Sequence, residues 1–274
     1  MNFYRPGSSR QPIFQGVLDQ IVHHKHEEVM QRQQYRSLDD LCQEVFPLET
    51  PGQLISVLKE KSPETKLILE VKPSSPSAGI LDAQLDVPAL IALYNHYGIG
   101  VSVLTDERYF GGSLGLLEKV IQQTDLPVLC KDFILDPYQV YEARKAGASV
   151  VLLIVKALAQ SQLIELQSVI CELGMTPLIE IQNFREMERA LDIEPEIVLI
   201  NNRDLQTLAM DLETTPRLSR EIPSEVLRVS ASGVSHRKEI EFLKPFCQGF
   251  LMGSALMKLS QDQREAKLQE LTQS

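Results

Sequence analysis

From residue 67 onward, short apolar runs rich in Leu and β-branched residues recur along the chain. They read LILEV (67–71), GVSVLT (100–105), PVLCKD (127–132), VVLLIV (150–155), PLIEI (177–181), IVLIN (197–201), LRVSAS (227–232) and GFLMG (249–253). Most are continuous rather than strictly alternating, as strands buried on both faces are. Helical patterns fill the gaps. Leu163, Leu166, Val169, Ile170 and Leu173 recur at three-to-four-residue spacing, which places them on one helix face. Residues 137–148 begin with a Pro suited to the first helical position and end near Gly147. Residues 235–245 begin with a Ser cap and stop at Pro245. Eight strand–helix alternations predict an α/β fold, a closed (β/α)8 barrel. The rival is a doubly wound open sheet, but no glycine-rich nucleotide fingerprint follows the first strand.

Ahead of the barrel pattern the chain reads differently. Residues 1–12 are polar, with Pro and Gly. Residues 13–35 read as a helix with Ile13, Val17, Leu18, Ile21 and Val22 on its apolar face, and residues 37–61 hold a further short helix or two, broken at Pro47 and Pro51. The expected organisation is an N-terminal helical extension over 1–62 packed on a barrel over 63–274, together one structural domain. The 274 residues, 43% of them hydrophobic, suffice for one large core.

Net charge changes the picture of partners. At −10 the chain is a poor match for nucleic acid or an anionic membrane, although a local cationic pocket can still take an anionic substrate. Cys42, Cys130, Cys171 and Cys247 form no C-x-x-C pair, which predicts reduced thiols rather than a disulfide framework or a zinc site. The N-terminal sequence lacks the apolar run of a signal peptide, and no stretch reaches the roughly 20 apolar residues of a membrane helix. The expectation is a cytoplasmic protein with a small-molecule partner. Oligomeric state is left open, with a monomer as the working expectation.

In a barrel of this kind the chemistry sits where the strands end. Strand 1 ends in Glu70-Val71-Lys72, and residues two apart on a strand face the same way. Strand 3 ends in Lys131-Asp132, strand 5 carries Glu180, and strand 6 ends in Asn201-Asn202-Arg203-Asp204. One such charge alone is an ordinary rim charge. Together they are harder to dismiss, because charge inside an apolar run is costly unless paired or used. The set predicts an acid/base site on one rim. Ser232-Gly233 and Gly253-Ser254 close the last two strands. They are either ordinary turns or a phosphate cradle, and their place in the barrel favours the cradle.

Longer motifs now carry a resemblance. ILEVKPSSPSAG (68–79), SVLTDERYFGGSL (102–114), PVLCKDFILDPYQVYEAR (127–144), INNRDL (200–205) and GFLMGSALM (249–257) are similar to those of the indole-3-glycerol phosphate synthase family of tryptophan biosynthesis, over roughly residues 13–260. The resemblance implies a TIM-type barrel with an N-terminal extension. The implied substrate is 1-(2-carboxyphenylamino)-1-deoxyribulose 5-phosphate, converted to indole-3-glycerol phosphate with loss of carbon dioxide and water, without cofactor or metal. Lys131 matches the family's general acid and Glu180 its general base. Glu70 and Lys72 match the E-x-K pair, and Asn201 the residue that positions substrate hydroxyls or water. Arg203 follows in the same motif. The resemblance puts phosphate on Ser75, Gly233, Gly253 and Ser254, with Ser232 beside them. It puts the anthranilate ring against Phe110, Phe133, Leu152 and Leu205, with Pro76 at the edge.

The chain also departs from the family pattern. Ala231 stands where a glutamate is usual, Pro73 where a basic residue is usual, Leu199 for a glycine and Lys156 for a small residue. These departures keep two alternatives open: a diverged paralogue acting on a related anthranilate conjugate, and a ligand-binding barrel of weakened activity. The chain stops soon after the eighth helix, so no fused isomerase domain is expected. His23, His24 and His26 read as a solvated helix face. Gly111, Gly112 and Gly115 read as a mobile loop at the site, since no Walker lysine follows them.

Overall fold

The computed structural model describes residues 16–45, 54–60, 64–75, 79–81 and 85–272. Their central feature is a closed barrel of eight parallel strands: β1 (Leu67–Val71), β2 (Gly100–Leu104), β3 (Val128–Lys131), β4 (Val150–Ile154), β5 (Thr176–Ile181), β6 (Ile197–Asn201), β7 (Leu227–Ala231) and β8 (Gly249–Met252). Each strand pairs with its successor, and β8 closes on β1 through Leu67 opposite Phe250. A two-stranded ribbon, Ser74–Ser75 against Gly79–Ile80, lies outside the barrel just past β1.

Closure splits each apolar run into two faces. Leu67, Leu69 and Val71 point outward into the core shared with the helices, whereas Ile68 points inward. Inward-facing Leu129, Leu152, Leu178, Leu199, Val229 and Leu251 fill the barrel as layers of side chains. Such runs read as continuously apolar because both faces are dry.

Local signals set the helix boundaries. The helix Pro137–Lys145 starts from a capping box between Asp136 and Gln139 and ends ahead of Gly147, which sits at φ 94°. The helix Arg237–Leu243 is capped by His236 rather than by the expected Ser235. Glu239 reaches back to the backbone N–H groups of both residues and so moves the start inward. The glycine stretch after β2, expected as a mobile loop, carries helix caps. Asp106 caps the turn Glu107–Phe110, and Gly111 closes it in the left-handed region. A Cβ at Gly112 would fall 1.9 Å from the Leu104 carbonyl oxygen.

Among the described residues the N-terminal segment holds three helices, α1 (Val17–Tyr35), α2 (Leu38–Val45) and α3 (Leu54–Lys59). They reach opposite ends of the barrel. Leu18 and Ile21 of α1 join the interior core at the strand C-termini. Leu54 and Leu58 of α3 meet Gly100 and Gly249, the first residues of β2 and β8. Leu41 of α2 packs with Val29 and Tyr138 in a small satellite cluster. No described helix is long and apolar enough to cross a membrane.

Leu178 lies fully buried in the inner layer, two residues before Glu180. Leu178→Ala should cost about 2–5 kcal/mol through lost burial and a residual cavity. The check is a urea midpoint that falls while the m-value stays unchanged.

Candidate active site

The inward register that fills the barrel with Leu and Ile also aims the polar residues. Ile68 is followed two positions on by Glu70 and then Lys72, Leu129 by Lys131, Leu178 by Glu180, and Leu199 by Asn201. Every second residue shares a face, so the top layer of the interior is polar where the layers below are apolar. These side chains line one cavity of about 280 Å³ at the strand C-termini.

Glu70 is buried at the base of this layer. Its Oε1 takes Lys72 at 2.5 Å, and its Oε2 takes Lys131. Burial alone would push its pKa up, but Lys131 and Lys72 outweigh that and hold it at about 2. One carboxylate therefore orients two ammonium groups. Gly253 backs onto the same carboxylate, and a Cβ there would lie 2.0 Å from Oε1. The glycine at the end of β8 is what leaves room for Glu70.

Across the cavity, Glu180 accepts hydrogen bonds from Asn201 Nδ2 (3.0 Å) and Gln182 Nε2 (3.3 Å). Burial raises its pKa. The Lys131 charge and these two hydrogen bonds only partly offset the rise. Two carboxylates in one pocket are thus pushed in opposite directions, the arrangement from which an acid/base division of labour is built.

The phosphate candidates sit on two neighbouring turns. Ser232 and Gly233 both have positive φ, 66° and 86°, and are followed by Val234 and Ser235 along the cavity wall. Gly253, Ser254 and Ala255 form the second turn. Phe110 and Phe133 face each other with ring centroids 6.0 Å apart and 35° between planes, and Leu152 and Leu205 line the same end. Arg203 also lines the cavity while donating to the Leu208 carbonyl at 3.1 Å. Ser75 belongs to the ribbon beyond β1, and its side chain, like the whole of Pro76, lies outside the described residues. Among the described residues no group of three or more His, Cys, Asp or Glu side chains is placed to hold a metal ion.

The family model described as "Indole-3-glycerol phosphate synthase" matches residues 18–271. The chain belongs to the indole-3-glycerol phosphate synthase family. Its relatives include the indole-3-glycerol phosphate synthases of Acidithiobacillus ferrooxidans (36% identical, covering 89% of this chain and 95% of that protein) and of Parafrankia sp. (43%, covering 82% and 83%). The tryptophan biosynthesis protein TrpCF of Vibrio cholerae is 38% identical over 89% of this chain. The chain spans about half the length of the TrpCF relatives it matches. A chain of the tryptophan synthase complex from Pyrococcus furiosus shares the fold alone, at a TM-score of 0.56 and 15% identity over 76% of this chain and 98% of that one.

Ala231 ends β7 in register with Asn201 and is buried on the inner face, so it brings no charge to the polar layer. Lys156 pairs with Asp204 at 2.9 Å and reaches Gln182 Oε1 at 3.3 Å, and so joins the network behind Glu180. The sequence reading overlooked Gln182, which carries no motif signal. It also overlooked the share of α1 in the cavity, where Val17, Leu18 and Ile21 form part of the wall.

The two carboxylates contribute to stability with opposite signs. Glu70, depressed to about 2, adds stability above its ordinary value of 4.5, and this is lost as pH falls from 4.5 toward 2. Glu180, raised by burial, costs stability as pH climbs through its ordinary value of 4.5. Glu70→Gln should therefore lower the melting temperature at pH 7 and flatten the acid limb, whereas Glu180→Gln should raise it. Thermal melts between pH 2 and pH 8 provide the measurement.

Proposed function

We propose that the protein is an indole-3-glycerol-phosphate synthase. It closes the indole ring of 1-(2-carboxyphenylamino)-1-deoxyribulose 5-phosphate, with release of carbon dioxide and water, as a cytoplasmic step of tryptophan biosynthesis. The observation that carries this reading is the pairing, in one cavity, of a Lys131 ammonium held by Glu70 with a buried Glu180 of raised pKa.

The roles follow from position. Lys131 donates a proton to the substrate ketone as the ring carbon attacks it, so the new C–C bond leaves a hydroxyl rather than an alkoxide. Loss of the carboxylate as carbon dioxide returns its electron pair to the ring. Glu180, which accepts protons readily because burial raises its pKa, then takes a proton from the carbon beside the ring nitrogen, while the hydroxyl leaves as water on a proton supplied by the Lys72 ammonium. Asn201 fixes Glu180 and positions substrate hydroxyls. Lys72, on the Glu70 oxygen that borders Gly253, meets phosphate or carboxylate. The turns at Ser232-Gly233 and Gly253-Ser254, with Ser75, hold the phosphate. Phe110 and Phe133 flank the anthranilate ring, with Leu152, Leu205 and Pro76 around it. Residues 1–62 act as an extension of the 63–274 barrel in one working unit, and the working state is a monomer.

A second reading, action on a related anthranilate conjugate, rests on the charge missing at Ala231. The same assay separates the two. The chain contains no Trp, so product indole fluorescence has no tryptophan background from the protein. The purified protein should turn over the carboxyphenylamino substrate, and Lys131→Ala should lower kcat by about 10²–10⁴-fold. Binding without turnover in the unsubstituted protein sinks the synthase reading. Full activity in Lys131→Ala sinks the assigned mechanism.

A further inference from the structure

Helix α1 buries Leu18, Ile21, Lys25 and Val29 along one stripe, and Lys25 is its odd member. A fully buried ammonium on an apolar stripe is costly unless carboxylates surround it. Three do: Glu28 at 2.9 Å from its own helix, Asp106 at 3.0 Å and Asp132 at 3.0 Å from the barrel. Asp106 and Asp132 are themselves buried, at the ends of β2 and β3.

Both barrel carboxylates hold the backbone that presents an aromatic ring to the cavity. Asp106 Oδ1 accepts from Tyr109 N at 2.7 Å, capping the turn that carries Phe110. Asp132 Oδ1 accepts from Phe133 N at 2.7 Å, and its Oδ2 accepts from Thr105 Oγ1 at 2.9 Å. Lys25 meets Asp106 through the other oxygen, Oδ2, so cap and ion pair coexist. One and two turns earlier on the same helix, Ile21, Leu18 and Val17 form part of the cavity wall. A single ammonium thus joins the wall helix to the supports of both rings. Lys131, the neighbour of Asp132, has its own partner in Glu70.

We propose that Lys25 is a positioning residue for the aromatic end of the site. Buried between Asp106 and Asp132, it sets the spacing of Phe110 and Phe133 and seats the helix that closes the cavity over them. The ring slot as an anthranilate site rests on the function proposed above; the mechanical role of Lys25 does not. A merely structural lysine would weaken the whole site when removed. A positioning lysine loosens the ring end and spares the phosphate turns, which it does not touch.

The test compares two small probes, anthranilate and inorganic phosphate, by calorimetric titration of Lys25→Met. The dissociation constant for anthranilate should rise about tenfold while that for phosphate stays within about twofold. With the full substrate, KM should rise about tenfold and kcat fall no more than about threefold, because Lys131 keeps its partner. Lys25→Arg, which keeps the charge, should recover part of the anthranilate affinity. In protein labelled with 4-fluorophenylalanine, the fluorine resonances of Phe110 and Phe133 should shift or broaden while the other phenylalanines hold theirs. If Lys25→Met does not fold, Asp106→Asn is read instead. It keeps the cap and leaves Lys25 paired with Glu28 and Asp132, and should give the same pattern at about threefold. Equal losses for both probes, or unchanged anthranilate binding and unchanged fluorine spectra in a folded variant, overturn the proposal. If the unsubstituted protein neither binds anthranilate nor turns over substrate, the functional reading fails, and the fluorine spectra alone decide the role of Lys25.

Discussion

Glu70 carries its charge in a buried position because Lys72 and Lys131 both point at it. A carboxylate without them would take up a proton, since burial disfavours the ion. The rest of the open end is arranged around that exchange. Gly253 must lack a side chain so that Glu70 fits, and its turn then lies beside Lys72. Lys131 is held on the other oxygen, close enough for its charge to act on Glu180. Closure of the barrel makes this compulsory. Inward side chains below are apolar, and charge enters the interior in the top layer at the strand C-termini, where opposite signs meet.

Ala231 shows how finely that layer is balanced. It sits in register with Asn201 and brings no charge to the polar ring. Nearby, Lys156 is neutralised by Asp204 and contacts Gln182, whose amide faces Glu180. The loop carrying Arg203, Asp204 and Leu205 is therefore tied to Glu180 through Gln182 as well as through Asn201.

The N-terminal extension belongs to the same electrostatic logic. Lys25 is as deeply buried as Glu70 and just as dependent on opposite charge, with Glu28, Asp106 and Asp132 around it. Burial pulls its pKa down, yet Asp132, Asp106 and Glu28 outweigh that and hold the ammonium protonated. Two buried charge clusters thus hold the strand ends: one faces the cavity, and the other fastens the helix that forms part of its wall.

Much of this was legible in the sequence. The eight apolar runs, their spacing and the intervening helical periods follow from local burial and propensity, so the barrel could be read from order alone. The rim residues stood out because Lys131 and Glu180 interrupt otherwise apolar runs. The structure gathers Glu70, Lys72, Asn201 and Arg203 with them round one cavity. What the sequence could not express was facing and partnership. A continuous apolar run has no visible parity, so only closure decided that Glu70, Lys131, Glu180 and Asn201 share the inner face with Ala231. Lys25 looked like one more charge on a polar helix. Its barrel partners lie about 80 and 107 residues away and become partners only when α1 docks. The sequence determines which residues can bear charge in a dry place; tertiary structure decides which opposite charge each one finds, because that depends on distances between strand ends that no local pattern encodes.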